Sequence, residues 1–89
     1  MISKELTIPN KLGLHARAAS HLVKVANGFA AHITVERAGA CANAKSIMGL
    51  MLLAAAKGHT VTVTADGADE QEALAAVEAL ISDRFHEEQ

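Results

Sequence analysis

Apolar and polar side chains alternate along four segments of the chain, which predicts β-strands with one buried face and one polar face. These segments are residues 2–8, 32–37, 40–43 and 60–64. The third is short and weakly patterned, and Cys41 within it is expected to pack as a small side chain. Because Ala38-Gly39 separates the second segment from the third, these two are expected to form a hairpin with a tight turn.

Three other segments repeat apolar residues at intervals of three and four, which is the spacing of one helix face. Each begins at a residue whose side chain can cap a helix: His15, Ser46, and Asp69 paired with Glu72 in a capping-box pattern. The predicted buried stripes are Ala19, Leu22, Val23 and Ala26; Ile47, Leu50, Met51 and Ala54; and Ala73, Leu74, Val77, Leu80, Ile81 and Arg84.

The predicted elements follow the order β-α-β-β-α-β-α. This order predicts an α+β fold of the open-faced β-sandwich type, a four-stranded antiparallel sheet with three helices on one face. We expect all 89 residues to form a single domain, 1–89, with residues 86–89 as a frayed tail.

The composition argues against nucleic-acid binding and membrane insertion. The sequence is 51% apolar but has only two aromatic residues, Phe29 and Phe85, so it lacks the stacking platforms that single-stranded nucleic acid usually requires. No apolar run approaches the ~18 residues of a membrane span, and no signal-like stretch follows Met1. Cys41 is the one cysteine, which fits a reducing compartment. We therefore expect a cytoplasmic protein.

The net charge of −2 is unevenly distributed along the chain. Residues 1–57 carry seven basic and two acidic side chains, whereas residues 58–89 carry one basic and eight acidic side chains. This asymmetry predicts a positive face around His15 that attracts acidic partners or phosphate, with the last helix facing away. A solvated surface of mixed charge is the alternative interpretation.

The strongest chemical signal lies in residues 13–20, where a turn glycine, His15 and Arg17 meet the start of the first helix. A helix start presents backbone N–H groups and a partial positive charge, so it suits an anion. Arg17 can bring a forked guanidinium to the same anion, and a neutral imidazole nitrogen can attack phosphorus. The local sequence leaves open whether His15 is such a nucleophile or only a helix cap.

Other site chemistries lack the residues that they need. The five histidines show no i, i+4 pair and no clustered carboxylates or thiolates, so no metal site is expected. The sequence has no phosphate-binding glycine loop followed by Gly-Lys-Ser/Thr. We therefore expect no cofactor, and we expect phosphate to arrive from another protein.

Two motifs resemble the HPr family, the histidine phosphocarriers of the bacterial phosphotransferase system (PTS). Gly13-Leu14-His15-Ala16-Arg17-Ala18-Ala19-Ser20 resembles the active-centre signature of the family, and Lys45-Ser46-Ile47-Met48-Gly49-Leu50 resembles its regulatory serine segment. The resemblance spans essentially the whole chain. One departure is Ala18, where most relatives have proline, and this alanine gains an N–H donor and loses some rigidity.

The resemblance implies that His15 Nδ1 accepts a phosphoryl group from enzyme I, ultimately from phosphoenolpyruvate, and passes it to an EIIA domain. Arg17 and the backbone amides of Ala16, Arg17 and Ala18 would stabilise the phosphoryl oxygens. Such a protein is a stoichiometric reactant in phosphotransfer rather than an autonomous enzyme. Ser46 would be the site of an HPr kinase/phosphorylase, which adds negative charge at a helix start.

Partner proteins are expected to dock beside the active centre. The second helix is too short to bury apolar side chains all the way round, so some of Met48 and Leu52 should be exposed as a docking patch. A helix that is simply well covered is the alternative interpretation. Taken with the resemblance, the predicted docking residues are Ala19, Lys24, Ile47, Met48 and Leu52. Two alternatives remain open: a regulatory binding module of the nitrogen-related PTS branch, and an interaction domain in which His15 is only a cap.

Overall fold

The alternating segments form four strands and the helical stripes form three helices. A computed structural model describes the backbone of residues 1–86. In chain order the elements are β1 (Ile2–Thr7), α1 (Ala16–Ala26), β2 (His32–Arg37), β3 (Ala40–Asn43), α2 (Ile47–Leu52), β4 (Thr60–Asp66) and α3 (Glu70–Ser82), followed by a 3₁₀ turn at Arg84–His86. Residues 87–89, which belong to the predicted frayed tail, lie outside the described residues.

The four strands form one antiparallel sheet in the order β1-β4-β2-β3. The register places apolar residues opposite apolar residues, with Leu6 opposite Val61, and Val35 opposite both Val63 and Ala42. This produces one apolar face, which the three helices cover, while the other face stays open. The predicted α+β open-faced sandwich, with the order βαββαβα, is confirmed.

The hydrophobic core lies between the sheet and the helices. It combines fully buried side chains from every layer, including Val35 and Val63 of the sheet, Leu22 of α1, Leu50 of α2 and Val77 of α3. Helix α1 packs against both α2 and α3, so burial of apolar surface fixes the position of α1. Within residues 1–86, no helix combines the length and the apolar character needed to cross a bilayer.

Helix α2 departs from its predicted buried stripe. Of the four residues expected to be buried, only Leu50 is buried. Ile47 and Met51 are 42% and 41% exposed. The helix ends after Leu52, and Leu53, rather than Ala54, enters the core. Ala54 is exposed and adopts a φ of 51° where the chain turns away from the helix.

Two single-residue predictions about burial are wrong. Alternation along β3 turns Ala42 toward the helices and leaves Cys41 exposed on the opposite side, in register with Glu36. Arg84 does not extend the stripe of α3, because it lies beyond the helix with a φ of 54° and is exposed. The next residue, Phe85, turns inward and is fully buried.

Asp69 is the N-cap of α3, but its side chain does not make the predicted capping-box bond. Its carboxylate instead accepts the N–H of Ala30 at 2.9 Å and of Ala31 at 2.8 Å, in the loop between α1 and β2. These bonds, that of Ala30 above all, lower the pKa of Asp69 below its ordinary value of 3.8. Lys45 Nζ donates to Phe29 O at 2.8 Å, so side chains from two other parts of the chain fix this loop.

Candidate functional site

His15 is the N-cap of α1, as the sequence predicts. Its backbone is extended, with φ −85° and ψ −175°, and its carbonyl accepts the N–H of Ala19 at 2.8 Å to close the first helical turn. Its ring nitrogen Nδ1 accepts the N–H of Arg17 at 3.3 Å. The half-buried imidazole is therefore held with one nitrogen directed at the start of the helix, while part of the side chain reaches solvent.

The loop before His15 is closed by Asn10 and Gly13. Asn10 is fully buried, and its Nδ2 donates to Gly13 O at 2.7 Å, while the Gly13 N–H donates to Asn10 O at 3.2 Å. Gly13 has a φ of +67°, and a Cβ atom there would lie 2.5 Å from Ala55 O and 2.8 Å from Ala56 Cα. Leu14 completes the contact by donating its N–H to Ala55 O at 2.8 Å. Residues 55–56 thus pack against this loop and support it.

Arg17 and the first-turn amides supply the groups that suit an anion. Ala16, Arg17 and Ala18 are the first three residues of α1, so their N–H groups have no carbonyl four residues earlier within the helix. The Arg17 side chain is exposed, whereas the Ala18 methyl is fully buried and anchors the turn. The backbone of this turn is therefore anchored in the core, while the Arg17 side chain lies at the surface.

Ser46 is the N-cap of α2, also as predicted. Its Oγ accepts the N–H of Gly49 at 3.1 Å, and the residue is half-buried. A Cβ atom on Gly49 would lie 3.3 Å from that oxygen, so the serine side chain is packed closely over the first turn. The position places any group bonded to Ser46 Oγ at the start of α2.

The predicted docking residues are not all on the surface. Met48 and Leu52 are 70% and 78% exposed on α2, Ile47 beside them is 42% exposed, and Lys24 is exposed on α1. Ala19 is fully buried, so its prediction as a docking residue is wrong. As the fourth residue of α1, it lies on the stripe that faces the core, where a partner cannot reach it.

Sequence reasoning missed two residues of the loop before His15. The strand-ending Pro9-Asn10 pair signals a turn, but it does not reveal that the buried Asn10 side chain closes the loop onto Gly13. Leu12 is 67% exposed just before Gly13 and adds an apolar side chain to the surface of this loop. The sequence signal for this exposed side chain was an apolar residue, Leu12, between Lys11 and Gly13 in a turn.

The chemistry open to this arrangement follows from three groups. A ring nitrogen of His15 can act as a nucleophile, the first-turn N–H groups can donate to oxygens of an anion, and the Arg17 guanidinium can offset negative charge. Among the described residues, no three His, Cys, Asp or Glu side chains form a group that could hold a metal ion.

Comparison with known proteins extends these observations to the whole chain. A family model described as the PTS HPr component phosphorylation site matches residues 2–83. Phosphocarrier protein HPr of Cupriavidus necator is 52% identical over 87 residues, with 98% of each chain covered. That of Xylella fastidiosa is 48% identical over 88 residues, with 99% of each chain covered.

Solved structures show the same relation. A crystal structure of HPr-C-His from Thermoanaerobacter tengcongensis matches the full length of both chains with a TM-score of 0.95 at 44% identity. The family match, the sequence similarity over nearly the full length of the chain and the shared architecture agree with one another. This chain therefore belongs to the HPr family, the phosphocarrier proteins of the phosphotransferase system.

Proposed function

We propose that this protein accepts a phosphoryl group on His15 from enzyme I, ultimately from phosphoenolpyruvate, and passes it to an EIIA domain. The observation that carries the proposal is the position of His15, half-buried at the start of α1 with Nδ1 against the Arg17 N–H. Membership of the HPr family supports the reaction class. The proposal places the protein in the cytoplasm, where the exposed Cys41 stays reduced.

Transfer to His15 exchanges one bond to phosphorus for another. The lone pair of Nδ1 attacks the phosphorus atom while the bond between phosphorus and the donor atom breaks, and the donor atom keeps that electron pair. Because the Arg17 N–H donates to Nδ1 at 3.3 Å, this long bond must be released before attack. The released N–H then lies beside the incoming group and donates to a phosphoryl oxygen, as do the other first-turn amides and the Arg17 guanidinium.

Onward transfer reverses these steps with a different partner. The EIIA nucleophile attacks the phosphorus, and the N–P bond breaks with its electron pair returning to Nδ1. The amides and Arg17 must not bind the phosphoryl group too tightly, since the group has to leave. The protein is consumed and regenerated once per transfer, so it acts as a stoichiometric reactant.

Partner docking is assigned to the exposed side chains of α2, Ile47, Met48 and Leu52, together with Lys24 of α1. Helices α1 and α2 pack against each other, so these side chains adjoin the helix that His15 caps. Methionine adapts to more than one partner surface. Enzyme I and EIIA must both reach His15, which favours one docking surface used by each in turn.

Ser46 is assigned as the acceptor of an HPr kinase/phosphorylase. A phosphoryl group on its Oγ would place a charge of about −1.5 to −2 at the start of α2, where the helix dipole favours it. The same charge would stand beside Ile47 and Met48 and repel an acidic partner. Phosphorylation of Ser46 is therefore expected to slow transfer from enzyme I.

Replacement of His15 tests the main proposal. After incubation with enzyme I and phosphoenolpyruvate, the parent should carry acid-labile phosphate and His15→Ala should carry none. His21→Ala, which changes another histidine of α1, is the matched control and should be phosphorylated like the parent. Acid-labile phosphate on His15→Ala would reject the assignment. If the phosphorylated protein passes its phosphoryl group to an EIIA domain that serves sugar transport, the result favours the proposal over a regulatory module of the nitrogen-related branch.

Replacement of Ser46 tests the regulatory proposal. Ser46→Asp adds one negative charge at the start of α2 and should lower the rate of phosphate uptake from enzyme I. Gln71→Glu adds the same charge at an exposed position in the first turn of α3 and should leave the rate unchanged. Equal rates for Ser46→Asp and the parent would remove support for electrostatic inhibition.

A further inference from the structure

Outside the proposed site, Arg37 and His59 form a pair of polar side chains with a defined set of bonds. Arg37 is the last residue of β2, and His59 immediately precedes β4. The Arg37 Nε donates to His59 Nδ1 at 3.0 Å, and Arg37 Nη1 donates to Leu53 O at 3.0 Å. Both side chains are half-buried, so these bonds are partly shielded from water.

The same nitrogen of His59 accepts a second bond. The backbone N–H of Ala56 donates to Nδ1 at 2.9 Å. An imidazole nitrogen accepts through one lone pair in the ring plane, so the Arg37 Nε–H and the Ala56 N–H share that lone pair. Arg37 and His59 together therefore hold residues 53–59 at three points: the Leu53 carbonyl, the Ala56 amide and His59 itself.

Residues 53–59 are the support of the loop that precedes His15. Ala55 O accepts the N–H of Leu14 at 2.8 Å, and the absent side chain of Gly13 leaves room for Ala55 and Ala56 to approach. Toward β1, the His59 carbonyl accepts the N–H of Ile8 at 2.9 Å. A continuous series of hydrogen bonds and peptide links thus runs from Arg37 through His59 and residues 55–56 to Leu14, the neighbour of His15.

We propose that Arg37 and His59 are positioning residues that fix the loop presenting His15, by holding residues 53–59 against Gly13 and Leu14. This inference rests on the proposed function only in taking His15 as the phosphoryl acceptor. Without the His59 acceptor, the Ala56 N–H and the Arg37 Nε–H lose their shared partner. Residues 55–56 are then held less firmly against Gly13 and Leu14. The His15 ring then spends less time in the geometry from which Nδ1 attacks.

Three variants separate this role from a general contribution to stability. His59→Ala removes the acceptor. His59→Asn places an amide oxygen near the position of Nδ1, where it can accept both bonds. Arg37→Lys keeps the charge but cannot donate to His59 and Leu53 with the same fork. His32→Ala, an exposed histidine at the start of β2, is the control.

Two measurements are made on each variant: amide hydrogen exchange at Leu14 and Ala56, and the rate of phosphate uptake at saturating enzyme I. In His59→Ala and Arg37→Lys, exchange at both amides should accelerate roughly three- to tenfold, which corresponds to one lost hydrogen bond. The uptake rate should fall while the KM for enzyme I stays at the parent value. His59→Asn and the control should resemble the parent.

The outcomes are distinct for the two proposals. Parent-like exchange and uptake in His59→Ala would overturn the positioning role, and so would a His59→Asn variant that behaves like His59→Ala. If His59→Ala does not fold, Arg37→Lys and His59→Asn decide by the same criteria. If the parent takes up no phosphate, the proposed function fails, while hydrogen exchange at Leu14 still decides whether Arg37 and His59 hold the loop.

Discussion

At the scale of single residues, Gly13 carries the strictest local requirement. Its φ of +67° disfavours any side chain, and a Cβ atom would lie 2.5 Å from Ala55 O. The left-handed conformation alone costs a non-glycine residue roughly 1–2 kcal/mol. Because the overlap with residue 55 adds to this, Gly13→Ala should lower the free energy of unfolding by more than about 2 kcal/mol in urea denaturation.

Gly39 provides the matched comparison. It also has a positive φ, +86°, but nothing lies within 4 Å of its missing Cβ. The loss of unfolding free energy in Gly39→Ala should therefore come only from the left-handed backbone conformation. Equal losses of stability in the two variants would show that the close approach between Gly13 and residues 55–56 is not a constraint.

The Asp69 carboxylate makes the stability of the fold depend on pH. Folding lowers its pKa below the ordinary value of 3.8, chiefly through the Ala30 N–H. Folding therefore favours the carboxylate, and the stabilisation is fully present above about pH 4 and is lost as pH falls through the folded pKa. Asp69→Asn should have a lower Tm than the parent at pH 7, and the difference should narrow below pH 4.

A second charge-removing variant in the same helix is the control. Glu72→Gln changes an exposed carboxylate in the first turn of α3. Its Tm difference from the parent should be smaller at pH 7 than that of Asp69→Asn. A Tm gap for Asp69→Asn that widens as the solution is acidified would contradict the assigned direction.

At the scale of elements, periodicity predicts long helices better than short ones. Helices α1 and α3 have 11 and 13 residues, and their repeated stripes identify most of the residues that they bury. Helix α2 has six residues, so its burial depends on where it ends and how the chain leaves it. That exit, which buries Leu53 and exposes Ala54, is set by tertiary packing and has no local signature.

The candidate site likewise combines local features, which adjacent residues predict, with contacts between distant residues, which they do not predict. The N-cap position of His15 and the cap at Ser46 follow from adjacent residues, and both are observed. The bond from the Leu14 N–H to Ala55 O joins residues about forty positions apart, and so does the bond from the Ala30 N–H to the Asp69 carboxylate. Sequence periodicity contains no information on such pairs.

The turn after α3 contributes an element that periodicity does not predict. Phe85 follows the helix with a φ of 55° and is the largest fully buried side chain among the described residues. Truncating a buried phenylalanine usually costs about 3–5 kcal/mol, because apolar contact is lost and a cavity remains. Phe85→Ala should show a loss of this size in urea denaturation.

Phe29 is the natural control for this variant. It is half-buried in the loop after α1, so Phe29→Ala removes the same atoms from a site that water already reaches. Its loss of stability should be clearly smaller. A Phe85→Ala variant no less stable than Phe29→Ala would contradict a role for the C-terminal turn in closing the core.

At the scale of the whole molecule, part of the surface charge is neutralised in ion pairs that do not involve α1. Lys4 of β1 pairs with Glu78 of α3, and the amino group of Met1 lies 3.0 Å from Glu70 and 3.7 Å from Asp66. Exposed Arg17 and Lys24 belong instead to α1, the helix that His15 caps. This arrangement supports the predicted attraction of acidic partners to that side, which stays a prediction, as does the single domain over residues 1–89.

In the proposed function, His15 takes up one phosphoryl group and gives it up again. Intact-mass spectrometry tests it most directly, first after incubation with enzyme I and phosphoenolpyruvate, and again after an EIIA domain is added. The parent protein should gain the mass of one phosphoryl group and lose it on addition of EIIA, whereas His15→Ala should show no gain. A parent protein whose mass never changes, or a phosphoryl group that remains when EIIA is present, would contradict it.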